Sequence, residues 1–176
     1  MNKSLYFISI IPPTEVYEII KSHQKVMSEQ FNSHKAYKHK VHLTLIPPFF
    51  IDSSKEDKLR CLLKTYTDSI ESFSIHLKNF SHFKKHTIYA DVVKSDELYE
   101  LKEGLLKLLN EDNDLLVKKI NYFQKFNPHI TIGYKDLESN FKDAWNHFGN
   151  QIITDKFDYQ SITLLKRGVK KWVIIQ

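Results

Sequence analysis

Two short stretches of this 176-residue chain share one design, His42-Leu43-Thr44-Leu45 and His129-Ile130-Thr131-Ile132, 87 positions apart. Histidine titrates near neutrality, so a pair of imidazoles can serve as base and acid within one turnover. Cleaving a phosphodiester calls for that division: one group takes a proton from the attacking oxygen, and the other gives a proton to the departing one. Threonine hydroxyls two residues further on can donate hydrogen bonds to the non-bridging phosphoryl oxygens, where negative charge sits in the transition state. Lys166, Arg167, Lys38 and Lys40 are candidates, by position, to add positive charge there. Phe49 and Tyr134 lie just past the two motifs, where a ring can stack on a base. Neither motif places a carboxylate or a second histidine at i+2 or i+4, and the lone Cys61 sits elsewhere, so no metal site and no cofactor is expected.

These side chains act together only if each motif is a strand. Both lie in alternating runs rich in β-branched and apolar residues, and in a strand residues i and i+2 share a face. His42 and Thr44 then emerge together while Leu43 and Leu45 turn to a core, and His129 and Thr131 do the same above Ile130 and Ile132. The rest of the chain predicts the frame. A strand over 4–11 closes at Pro12-Pro13, and Thr14 caps a helix over 15–31. A basic loop over 32–40 leads into the first motif strand, 41–46, which Pro47-Pro48 ends. A second helix covers 54–71, with Cys61 on its apolar side as a small buried thiol. Strands over 73–80 and 86–93 form a hairpin through Ser81–Lys85, and Ser95 or Asp96 caps a helix to about 110. The stretch 111–128 reads as a loop with a short strand or helical turn; the second motif strand follows at 129–134, then a helix near 137–149. Strands over 157–165 and 171–175 flank a turn at Lys166-Arg167-Gly168. Strands interleaved with helices, plus adjacent hairpins, predict an α+β protein rather than a doubly wound parallel sheet.

The composition, 41% hydrophobic and 27% charged with 4 Gly and 5 Pro, is that of an ordinary globular chain with little room for a flexible linker. One cysteine cannot make an internal disulfide, which fits a reducing cytosol and a cytoplasmic location. The apolar run near the start is too short for a membrane span and reads as a strand. A formal net charge of +5 favours an anionic ligand such as RNA or a nucleotide. The seven other histidines, His23, His34, His39, His76, His82, His86 and His147, show no shared spacing and read as surface or strand residues.

At the two His-x-Thr strands, and in their settings HLTLIPPF and NPHITIGY, the chain resembles the two-histidine phosphoesterase superfamily, which includes the 2′-5′ RNA ligases and RNA cyclic phosphodiesterases. The resemblance extends over the whole chain in length and element order. It implies one bilobal domain over 1–176, with two pseudo-symmetric lobes, each a mostly antiparallel sheet with helices on its outer face, around a central cleft. It also implies chemistry at a 2′-linked or 2′,3′-cyclic phosphate of an RNA end or small nucleotide, with His42 and His129 as acid and base and Thr44 and Thr131 as phosphate holders. Where several members carry an arginine-rich stretch before the first motif, this chain has Lys38-His39-Lys40. The expected protein is a monomer with no membrane partner. The alternative is a catalytically inactive RNA- or nucleotide-binding module that uses the same cleft.

Overall fold

A computed structural model describes residues 2–115 and 125–176. The alternating apolar runs pair into strands, and the periodic ones coil into helices. In chain order they are β1 (Lys3–Ile10), α1 (Thr14–Phe31), β2 (Leu43–Asp52), α2 (Glu56–Asp68), β3 (Ser74–Phe83), β4 (Thr87–Val92), α3 (Asp96–Glu111), β5 (His129–Tyr134), α4 (Phe141–Phe148), β6 (Lys156–Asp158), β7 (Thr163–Arg167) and β8 (Trp172–Ile174). The strands form one sheet in the order β6-β3-β4-β5-β2-β1-β7-β8, every described pairing antiparallel. The expected α+β class is observed. The expected pair of sheets is a single strand order, with four strands on either side of a seam where the two motif strands, β2 and β5, meet.

One hydrophobic cluster runs through both halves. It takes Ile8 and Ile10 from β1, Leu43 from β2 and Ile130 from β5, and covers them with Val16, Ile20 and Met27 of α1 and the leucines of α3. Ser95 caps α3 as expected, its hydroxyl accepting from the Leu98 N–H at 3.2 Å. Thr14 does not cap α1: it is the first helical residue, and Pro13 holds the cap position without a side-chain bond.

Several expected boundaries give way to tertiary pairing. Pro47-Pro48 does not end the first motif strand. β2 continues to Asp52, and the register on β1 jumps from Ile8↔Ile46 to Tyr6↔Phe49, so that β2 carries an extra residue there. Both prolines are exposed in that irregularity, where a missing N–H is tolerated. The hairpin turn lies at 84–86 rather than 81–85, because Ser81, His82 and Phe83 pair with β4. The run 157–165 is not one strand. Phe157 pairs with Ile75 at one edge of the sheet, whereas Thr163 pairs with Ser9 in the other half. Cys61 is exposed, so the expected buried thiol is corrected: Leu59 and Leu63 face the core. In the stretch expected as an irregular loop, residues 116–124 lie outside the described residues.

Close packing of α1 on β5 requires a glycine. A Cβ built on Gly133 would stand 2.8 Å from Met27 Cγ, and Met27 is fully buried. Gly133→Ala is expected to lower unfolding stability by about 1–3 kcal/mol, the usual range for overpacking. Urea titration checks this, and in a Met27→Ala background the cost of the same substitution should shrink.

Candidate active site

Across the seam, β2 and β5 register through one pair, Leu43↔Ile130, and both side chains are 0% exposed. Residues flanking such a pair point to the opposite face. His42 therefore comes beside Thr131 and Thr44 beside His129, roughly one strand spacing of about 5 Å apart. His42 stands one residue ahead of β2, and His129 is the first residue of β5.

Both imidazoles are held in the same way. His42 Nδ1 donates to the Lys40 carbonyl at 2.7 Å, and His129 Nδ1 donates to the Asn127 carbonyl at 2.8 Å. A carbonyl can only accept, so Nδ1 carries the hydrogen and Nε2 of the neutral ring keeps its lone pair. Neither Nε2 has a hydrogen-bond partner among the described residues.

The electrostatics differ between the two. Burial pushes the His42 imidazole below its ordinary value of 6.5; the Lys40 carbonyl opposes this, and the nearby His39 and His129 reinforce it. Burial also lowers His129, but there both the Asn127 carbonyl and the Asp91 carboxylate work the other way. Asp91 stands in register with His129 on the neighbouring strand β4. The His129 ring lies 4.9 Å from the rings of both Phe83 and Tyr89, and the His42 ring 5.2 Å from Phe7.

A cavity of about 490 Å³ opens beside this group, lined by His42, Thr44 and Thr131. It extends over Phe7, Leu165 and Trp172 on the β1, β7 and β8 side, while His129 stands at the β4 side of the group. Lys38, His39, Lys40 and Lys171 also line it.

Of the sequence candidates outside the motifs, Tyr134 lines the cavity. Arg167 is exposed at the end of β7, with its guanidinium 5.7 Å from the Trp172 ring. Lys166 and Phe49 lie on the other face of the sheet. In the β1–β7 register Leu165 lies opposite Phe7, both on the cavity, so Lys166 and its partner Tyr6 face the other way. There Lys166 Nζ bonds Glu56 at 2.6 Å, and Glu56 also accepts from the Tyr6 hydroxyl at 2.8 Å. Phe49 is 5% exposed, its ring 6.3 Å from Tyr6 within the same core side.

Three contributors escaped sequence reasoning. His39, read there as a surface or strand residue, lines the cavity. Gln24 is 3% exposed and its amide donates to the Thr131 carbonyl at 2.8 Å, tying α1 to the second motif strand. Its signal was a polar residue between Ile20 and Met27 on an otherwise apolar helix stripe. Asp136 holds the loop that follows α1: it accepts from the Ser33 hydroxyl at 2.7 Å and from the His34 and Lys35 N–H groups at 3.0 Å. Burial pushes the Asp136 carboxyl up, but these hydrogen bonds outweigh it and keep the group below its ordinary 3.8. Lys21 reinforces the loop from α1 through the Tyr37 and His39 carbonyls. Among the described residues no cluster of three or more His, Cys, Asp or Glu could hold a metal ion, and no helix is long and apolar enough to cross a membrane.

A histidine and a threonine from each of two adjoining strands, on one face of a single antiparallel sheet, characterise a known class. The profile of the 2′-5′ RNA ligase superfamily matches residues 12–171, and the chain belongs to that superfamily. A Thermotoga maritima protein named RNA 2′,3′-cyclic phosphodiesterase is 27% identical over 153 residues, 82% of this chain and 79% of that protein. Crystal structures of TT0787 of Thermus thermophilus and of E. coli LigT with 3′-AMP share the fold, with TM-scores of 0.68 and 0.65, each at 16% identity. The TT0787 match covers 98% of this chain and 95% of that one, and the LigT match 99% and 97%.

Histidine NMR titration checks the electrostatics. Both rings should titrate below 6.5, since burial is the largest cause in each. Asp91→Asn should lower His129 further and leave His42 nearly unmoved.

Proposed function

We propose that the chain is a metal-independent phosphodiesterase that opens 2′-linked or 2′,3′-cyclic phosphates at RNA ends or on small nucleotides. The observation that carries this reading is the matched pair of imidazoles flanking the Leu43↔Ile130 register, each with Nδ1 tied to a carbonyl two residues upstream. A group locked in that tautomer presents a lone pair when neutral and a proton when charged, the two states that acid–base transfer needs. The two threonines supply neutral donors for the phosphoryl oxygens, so the donor set suits phosphate without calling for a metal. The same free Nε2 atoms favour turnover over the alternative of a binding module.

For hydrolysis, water attacks phosphorus as its proton passes to His42 Nε2. The bond from phosphorus to one ester oxygen breaks, and that oxygen takes the proton from His129 Nε2. Asp91 favours the imidazolium form at His129, whereas His39 and His129 disfavour it at His42, which supports base and acid in this order. The anionic phosphate adds to the pull on the His129 proton. With a ribose hydroxyl in place of water, the same proton movements join rather than open a linkage.

His42→Ala and His129→Ala should each lower kcat/KM by about 10²–10⁴-fold on adenosine 2′,3′-cyclic phosphate, the usual worth of a general acid or base. Thr44→Val and Thr131→Val should each cost about 10²-fold. Full activity in either alanine variant overturns the mechanism. EDTA should leave the rate unchanged; a loss restored by a divalent ion contradicts metal independence.

The pH profile has a definite sign. His129 must be protonated, so activity falls as pH rises through its lowered pKa; His42 must be neutral, so activity falls again at lower pH. The kcat/KM optimum should thus lie below 6.5, the ordinary imidazole value.

A further inference from the structure

The cavity is larger and more basic than the paired motifs require. It lies to one side of them, and its wall takes Lys38, His39 and Lys40 from the loop after α1 and Lys171 from the turn before β8. Among the described residues no carboxylate lines it. Four like charges or protonatable groups around one space repel each other unless an anion joins them.

Two groups of this wall, His39 and Tyr134, and one beside it, Arg167, come from different elements. The His39 and Tyr134 rings are 6.5 Å apart. Arg167 ends β7 beside the cavity, its guanidinium 5.7 Å from the ring of Trp172, which lines it. Among the described residues none of the three has a side-chain hydrogen bond or ion pair. His39 differs here from His42 and His129, whose Nδ1 atoms are committed. Burial lowers the His39 imidazole, with Arg167 and Lys21 adding to the effect, and an arriving anion would work the other way by favouring the charged ring. The loop that carries it is anchored by Asp136 and Lys21, which removes the ordering cost of a free lysine-rich loop.

Tyr134 follows Thr131 by three residues on β5, a reach of roughly 10 Å along a strand. Side chains converging from that distance leave room for one nucleoside between the two groups, and about 490 Å³ accommodates it. We infer that His39, Tyr134 and Arg167 form a second anion subsite, which takes the phosphate on the 5′ oxygen of the nucleoside whose 2′-linked or cyclic ester is opened. This rests on the phosphodiesterase reading above and narrows it to substrates with a 5′ phosphate, either an RNA end with its upstream linkage or a 5′-phosphorylated nucleotide. Phe7 and Trp172, whose rings meet edge-on at 4.6 Å, form an aromatic wall beside it.

The test is calorimetric binding of adenosine 3′-monophosphate and adenosine 3′,5′-bisphosphate to the full chain at fixed salt. The bisphosphate should bind at least tenfold tighter. In His39→Gln and Arg167→Gln that advantage should fall to threefold or less, whereas Lys64→Gln, a charge loss on α2 away from the cavity, should keep it. Tyr134→Phe removes one hydroxyl with little risk to folding and should reduce the advantage partway. Equal affinities in the unaltered chain, or an advantage retained in both the His39 and Arg167 variants, overturn the subsite while leaving the phosphodiesterase reading standing. Failure of both nucleotides to bind overturns that reading and the subsite with it. Turnover separates the two sources of the phosphate: adenosine 2′,3′-cyclic phosphate bearing a 5′ phosphate should match a dinucleotide ending in the cyclic ester in kcat/KM, and both should exceed the unphosphorylated mononucleotide. A gain confined to the dinucleotide overturns the 5′-phosphate assignment.

Discussion

The architecture turns on one narrow contact, the buried Leu43↔Ile130 pair by which β2 meets β5. Burying a side chain of this kind is worth about 1.5–3 kcal/mol, and a slip of one residue would turn it to the cavity face. The same slip would bury His42, Thr44, His129 and Thr131 among hydrocarbon. Core packing and site assembly are thus one constraint: the residues that must be dry dictate where those that must be wet emerge. The broad pairings of β1 with β2 and of β4 with β5 brace the seam from either side.

Around that contact the backbone is nearly symmetric and the electrostatics are not. Each imidazole leans on the carbonyl two residues upstream, so the repeated motif produces a repeated tautomer. The neighbours then break the equivalence. On the β4 side a carboxylate, Asp91, stands in register with His129; on the other side His42 meets the protonatable His39. The cavity also favours one side, since the C-terminal hairpin of β7 and β8 adds Trp172 and Lys171 to its wall. Two like motifs in unlike settings can divide the labour of proton transfer without any difference in the motifs themselves.

The loop after α1 illustrates how second-tier residues set the site. Asn32 takes a left-handed conformation at φ 54° to end the helix, a geometry that asparagine tolerates better than most residues. Ser33 and the next two N–H groups then converge on Asp136, just past the second motif strand. The loop next to the first motif is therefore anchored beyond the second one, so both halves of the sheet share in placing Lys38, His39 and Lys40.

By itself the sequence determined the class of structure and the motif strands. Alternation exposed His42 and Thr44 above Leu43, and the pattern of apolar residues placed α1 and α3, with the α3 cap left between Ser95 and Asp96 until the structure placed it at Ser95. Local spacing could do no more, because it reports which face a side chain takes and not what stands across from it. That Lys166 pairs with Glu56 on the core side follows from its register on Tyr6, and Phe49 is buried opposite Tyr6 on the face of Leu43 and Leu45. That His39 joins the cavity follows from Asp136 and Lys21, which hold its loop from positions distant in sequence. The run 157–165 looked like one strand because its pattern is continuous; only the tertiary structure decided that its two ends serve opposite halves of the sheet, since a strand is completed by its partners and partners are chosen through long-range pairing.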